Sequence, residues 1–169
     1  MNSLIHHQML ETRNSLIREF ELLSYDAFNY RPENNRWSIA QVCHHLVLVE
    51  RATVKAIKWG LSQNRDSNIE RKNVQHILDR TKKLQAPEIV EPESAPFEKQ
   101  QIIELLAESR NELINTLSSI DQPTILQTKS VNHPAFGDLP LDQWIEAVYL
   151  HEQRHMEQIR EIKGLLDLC

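Results

Sequence analysis

The chain has 169 residues, room for one sizeable core and too little for two ordinary domains, so residues 1–169 are expected to form a single domain. The formal net charge of −5 is spread over mixed-sign segments, which excludes the basic stripe needed to bind a phosphate backbone, and no segment reaches the roughly 18 apolar residues of a membrane span. The segment MNSLIHHQML lacks the basic region and long apolar run of a signal peptide, which gives a cytoplasmic expectation, and Cys43 and Cys169 have no disulfide or thiolate-zinc spacing and read as free thiols.

Only three glycines interrupt long stretches rich in Leu, Ile, Glu, Gln, Arg and Ala, so the composition predicts an all-α protein. Four stretches repeat apolar residues at alternating steps of three and four, the mark of a buried helical stripe. The first covers residues 3–24, with Ile5, Met9, Leu16, Phe20 and Leu23 inward, and ends before Tyr30-Arg31-Pro32. The second opens at Ser38, which makes a capping-box spacing with Gln41, and carries Ile39, Val42, Leu46, Val49, Thr53 and Ile57 to Gly60. A polar connector, Ser62 to Ser94, includes a shorter helical segment around Asn73 to Leu84 whose His76, Ile77 and Leu84 predict loose packing on the outside. The third helix follows the connector from Pro87 to Pro96 and buries Ile103, Leu106, Leu113, Leu117 and Ile120. The fourth begins just after Pro140 and runs through Trp144, Val148, Ile162 and Leu165. Four long helices with one extended connection, between the second and third, predict a four-helix bundle, a fold that builds its sites from side chains on facing helices.

At about 100° per residue, His151 and His155 lie within about 40° of each other on the fourth helix, on the stripe of Trp144, Val148 and Ile162. Two inward imidazoles one turn apart have four ring nitrogens to satisfy, and a metal ion satisfies one on each ring. A third ligand from another helix is supplied by His45, within about 40° of Val49 on the second stripe. His44 falls on the opposite face and is expected at the surface, as are His6, His7 and His76, while His133 lies in the loop from His133 to Gly137, where a surface role is favoured over a place near the site. The run from His151 to His155 also matches the zincin pattern H-E-x-x-H, but Glu152 is about 100° off the ligand face, and Gln158 and Glu161 replace the Gly and His of the longer metzincin motif. A di-iron carboxylate site needs a second Glu-x-x-His step, which is absent; Glu50, Glu104 and Glu112 read as solvated helix faces. Arg110 sits in the seam between Leu106 and Leu113, where a charge needs either an interhelix carboxylate or a role beside the site. Trp37, Trp144 and Tyr149 read as packing residues, and Cys43, about 160° from His45, is badly placed as ligand or nucleophile.

Trp37-Ser38, His45-Leu46, Arg110, His133-Pro134, Gly137, Trp144, His151, Arg154-His155 and Gln158 together resemble the DinB-like superfamily of metal-binding four-helix bundles over most of the chain. Leu139-Pro140 departs from that pattern, where a Ser or Thr cap often opens the last helix. The resemblance implies one divalent metal ion on His45, His151 and His155, the three residues the stripe argument selects. Three neutral imidazoles suit zinc or nickel over magnesium or calcium, and three protein ligands leave a position for water or substrate. Relatives in the superfamily include S-transferases and isomerases that use low-molecular-weight thiols such as bacillithiol or mycothiol, and many are dimers. The resemblance therefore implies a metal-dependent transferase that activates a small thiol, and a homodimer, for which Ile17, Ile102 and Ile114 offer extra apolar surface. Water in the thiol's place would make the protein a metal-dependent hydrolase, and an ion that only ties two helices together would make it a non-catalytic binding module.

Overall fold

The structure is a computed structural model that describes residues 3–33, 36–64, 66–67, 69–81 and 85–166. Four long helices form a bundle: α1 (Ser3–Phe20), α3 (Ile39–Ser62), α4 (Lys99–Ser118) and α6 (Leu141–Leu166), with short helices α2 (Tyr25–Asn29) and α5 (Ile125–Thr128) between them. Helix α3 packs on both α4 and α6, and α6 packs on α1. None of the described helices is long and apolar enough to cross a membrane.

The predicted boundaries hold where caps define them. Ser38 accepts from the Gln41 backbone N–H at 3.2 Å and the Gln41 side chain returns to the Ser38 N–H at 3.1 Å, closing the capping box that starts α3. The first helix stops at Phe20 rather than 24, because Lys99 reaches across to the Glu21 and Leu23 carbonyls at 2.6 and 2.7 Å and Ser24 caps a new helix, α2. That short helix buries Phe28 against Phe20, ring centroids 5.2 Å apart. In α4 Ile102 is fully buried, as are Leu106 and Leu113, whereas Ile103 is half-buried; Ile102 thus belongs to the bundle core and is unavailable to a partner surface. The connector holds two 3₁₀ turns, Val74–Leu78 and Glu88–Val90, in place of one longer helix; Val74 is buried against α6, and Leu84 lies outside the described residues, as does Cys169.

The loop expected before the last helix is a β-hairpin. Strand β1 (Ser130–His133) pairs antiparallel with β2 (Gly137–Pro140), His133 opposite Gly137, whose φ of 67° needs a residue without a Cβ. Leu141 opens α6 directly after β2, its N–H donating to the Lys129 carbonyl at 3.0 Å, so no Ser or Thr cap is required there. Gly60 lets this junction approach α3: a Cβ added there would lie 2.9 Å from Leu141 Cδ2 and 2.9 Å from Val131 Cγ2.

A charged layer divides the core. One apolar cluster contains Leu16, Phe20, Phe28, Val42, Leu46, Leu106 and Ile159, and the other contains Met9, Val54, Ile57, Leu113, Leu139 and Val148. Between them, Arg13 pairs with Glu152 at 2.7 Å and Glu50 at 2.8 Å, and Arg110 pairs with the same two carboxylates at 2.9 and 2.5 Å. Thr12 donates to Glu152 and Ser109 to Glu50, and the guanidiniums also reach the Leu106 and Met9 carbonyls. Glu50, 1% exposed, is therefore a core residue and not a solvated one, because two arginines from other helices neutralise it.

Candidate metal centre

His45 on α3 and His151 and His155 on α6 offer one ligand atom each within 4.8 Å of one another. Their ring centroids are 5.2 Å (His45–His151), 5.0 Å (His45–His155) and 4.4 Å (His151–His155) apart. His45 and His155 are buried and His151 is half-buried.

Hydrogen bonds select which nitrogen each ring presents. His45 Nδ1 lies 2.7 Å from the Val90 carbonyl and His155 Nδ1 lies 2.8 Å from Gln158 Oε1. Both partners accept, so both Nδ1 atoms carry the proton and both Nε2 atoms present a lone pair. His151 Nε2 is 3.1 Å from His155 Nε2, and His151 Nδ1 is buried without a partner. Lone pairs converging in a buried space, with an unsatisfied ring nitrogen beside them, form a donor set a cation would complete, and the Val90 and Gln158 oxygens hold two of the rings as outer acceptors hold imidazoles in metal sites.

The rings stay neutral, the form metal ligation needs. Burial pulls His45 down against the opposing pull of the Val90 carbonyl; burial and the neighbouring imidazoles hold His151 well below its ordinary value; burial and His45 bring His155 to about 3. Trp37 walls the site, its ring 4.9 Å from His45. Arg154, between the two α6 histidines, donates to the Ile77 and Asp79 carbonyls at 2.7 and 2.5 Å and fixes the first 3₁₀ turn on α6.

One expectation is corrected here and three hold. His44 is buried: its ring packs 4.8 Å from Phe97 and Nδ1 accepts the Glu93 N–H at 3.2 Å, because the connector covers the α3 face that a single-stripe reading leaves to solvent. Arg110 takes the first of its two readings, pairing with Glu50 and Glu152. Glu152 points off the ligand face as predicted, into the charged layer. Cys43 is fully buried and its thiol is pushed up by that burial, so it is no nucleophile. Sequence reasoning missed Arg13, although its place between Met9 and Leu16 on the α1 stripe signals a buried charge. It assigned no role to Gln158, and nothing local marks the Val90 carbonyl, which comes from a connector 45 residues away from His45.

Fold and site together define a class: a four-helix bundle with three convergent histidines on two of its helices. Residues 8–159 match the model of the DinB superfamily, and the chain belongs to that family. It is 30% identical over 165 residues to the Bacillus subtilis (strain 168) protein YuaE, described as uncharacterized, with 98% of each chain covered. Among solved structures it is similar to the four-helix bundle protein TT2238, with TM-score 0.63, 16% identity and coverage of 93% of this chain and 96% of that one. It is also similar to YfiT from Bacillus subtilis, described as a probable metal-dependent hydrolase with an unusual four-helix bundle topology, with TM-score 0.65, 14% identity and coverage of 99% and 90%.

Proposed function

We propose that the chain binds one divalent metal ion, zinc or nickel, through His45, His151 and His155, and that it is an enzyme transferring a low-molecular-weight thiol to an electrophile. The observation carrying this reading is a cluster of three neutral imidazoles with no fourth histidine, cysteine or carboxylate ligand among the described residues. Three protein ligands leave a coordination position for a small molecule. An ion held there would supply Lewis acidity and favour the deprotonated form of a thiol. The protein's own candidates for base or nucleophile are taken: Glu152 is held by Arg13 and Arg110, and Cys43 is buried. The small molecule must therefore bring the nucleophile, and the chain's part is to hold the three rings, exclude other ligands and orient what enters.

The likeness to YfiT favours a second reading, in which water takes the thiol's place and the reaction is hydrolysis. Elemental analysis of untagged protein, purified without added metal, comes first: His45→Ala, His151→Ala and His155→Ala should each lose the ion, and full metal content in all three would refute the site. Metal-loaded protein is then incubated with a panel of cellular thiols and a bromo-substituted fluorogenic electrophile. Metal-dependent acceleration supports transfer; none with any thiol, alongside hydrolysis of a test ester that His151→Ala abolishes, supports the second reading. The proposal takes residues 1–169 as one domain acting as a homodimer; a monomer in sedimentation at high micromolar concentration would remove the dimer.

A further inference from the structure

The motif residue His133 stands beside the three-histidine cluster without belonging to it. The hairpin carries it onto the ligand face of α6: its ring lies 4.4 Å from Trp144, edge to face, and 5.3 Å from Phe136. Trp144 precedes His151 by seven residues, two helical turns and about 10 Å of rise, and α-helical side chains lean toward the N-terminus, so the His151 ring leans toward His133. The hairpin is fixed on both sides, by Trp144 Nε1 donating to the Val131 carbonyl at 3.1 Å and by Leu141 donating to Lys129.

One hydrogen bond sets the chemistry of this ring. The Ala135 backbone N–H donates to His133 Nδ1 at 3.1 Å. A nitrogen that accepts carries no proton, so in the neutral ring the proton is on Nε2. No described residue accepts from Nε2, and that atom is not among the buried unsatisfied ones. Burial lowers the ring to about 4, so it is a neutral donor near pH 7. Neutral imidazoles held in one tautomer serve elsewhere as donors to substrate oxygens.

We propose that His133 is a substrate-recognition residue whose Nε2–H donates to an oxygen acceptor, a carboxylate or carbonyl, on the small molecule whose sulfur occupies the metal's remaining position. This rests on the thiol-binding reading above. It narrows the substrate class to thiols that carry an oxygen acceptor several bonds from sulfur, since His133 is held over Trp144, seven residues before His151, and lies outside the three-ring ligand set.

The test uses cobalt-loaded full-length protein and two probes, 3-mercaptopropionate and propanethiol, with affinity read from the sulfur-to-cobalt charge-transfer band. Wild type should bind 3-mercaptopropionate about tenfold more tightly than propanethiol, the effect of one hydrogen bond to a charged group. His133→Phe, which keeps a ring against Trp144, should erase that preference with cobalt content and propanethiol affinity unchanged, and His133→Gln should restore part of it. An undiminished preference in His133→Phe, or no preference in wild type, overturns the role of His133 while leaving the metal site standing. A wild type that takes up no cobalt overturns the underlying reading and this one with it. Nitrogen-15 imidazole spectra of the metal-free protein supply a readout independent of any ion: His133 should show the Nε2–H tautomer, and an Nδ1–H tautomer would overturn the proposal.

Discussion

Glu50→Gln tests whether the charged layer holds the bundle together. Glu50 accepts from Arg13 Nη2 at 2.8 Å, Arg110 Nε at 2.5 Å and Ser109 Oγ at 2.6 Å. The substitution keeps the volume but leaves two buried guanidiniums facing one carboxylate, Glu152, and turns an acceptor into an amide NH₂ that faces donors. Breaking a buried pair by removing one partner costs about 3–5 kcal/mol, a large part of the 5–15 kcal/mol typical of whole-protein stability. For a chain of this length that corresponds to a fall in Tm of roughly 6–20 °C. Urea denaturation followed by circular dichroism at 222 nm, with the m-value checked for constancy, measures the loss directly. A compensated variant sharpens the test: Glu50→Leu with Arg110→Met leaves the Arg13–Glu152 pair neutral and should be less destabilised than either single change. A loss under about 1 kcal/mol in Glu50→Gln would refute the reasoning, because it would mean that the layer is hydrated or rearranges freely.

Gly60→Ala should destabilise by about 1–3 kcal/mol, since its Cβ meets Leu141 and Val131 at 2.9 Å in a packed junction; a neutral effect in the same urea assay would show that the hairpin yields. Ser38→Ala should cost about 1 kcal/mol through the lost capping box, and amide exchange should rise first at the start of α3. Gln158→Leu removes the acceptor on His155 Nδ1 and should weaken metal affinity by about 10–100-fold in a chelator competition, with no effect expected if that bond is incidental. The metal-free protein should lose stability as pH falls below the ordinary histidine value of 6.5. His133 and His155, lowered to about 4 and 3, stay neutral in the fold while the unfolded chain takes up protons. Below 4.5 the loss should deepen. Burial pushes the Glu152 carboxyl up, but Arg13 and Arg110 more than offset this and hold it below that value, so its contribution disappears as pH drops through the folded pKa. Stability independent of pH between 7 and 4 would contradict both arguments.

Much of the bundle is legible because its helices keep one apolar period and α3 begins at a capping box readable from Ser38 and Gln41. The histidine cluster is legible for the same reason: His45, His151 and His155 lie on or beside apolar stripes, where an imidazole needs a partner. The misreadings of His44 and Glu50 have one cause. Helix α3 is covered by α4, by α6 and, over the His44 face, by Glu93 and Phe97 of the connector, so a wheel with one buried side describes it badly. Glu50 reads as polar surface until Arg13 and Arg110 arrive from helices distant in sequence. The hairpin escapes because two four-residue strands leave too short an alternation to see, and α2 because five residues carry no period.

Helix α6 carries His151 and Glu152 side by side, the first turned to the histidine cluster and the second to the charged layer, and it starts without a linker at the end of the hairpin. One inserted or deleted residue between Leu141 and His151 would swing everything beyond it by about 100° relative to the hairpin. His151 and Glu152 would then miss their places together, and His133 would no longer stand over the same face. Over generations such a segment can change by exchanging one side chain for another, while gaps in its length are closed to it, so divergence in this protein should collect as insertions in the connector after Ser62 and as substitutions alone along α6.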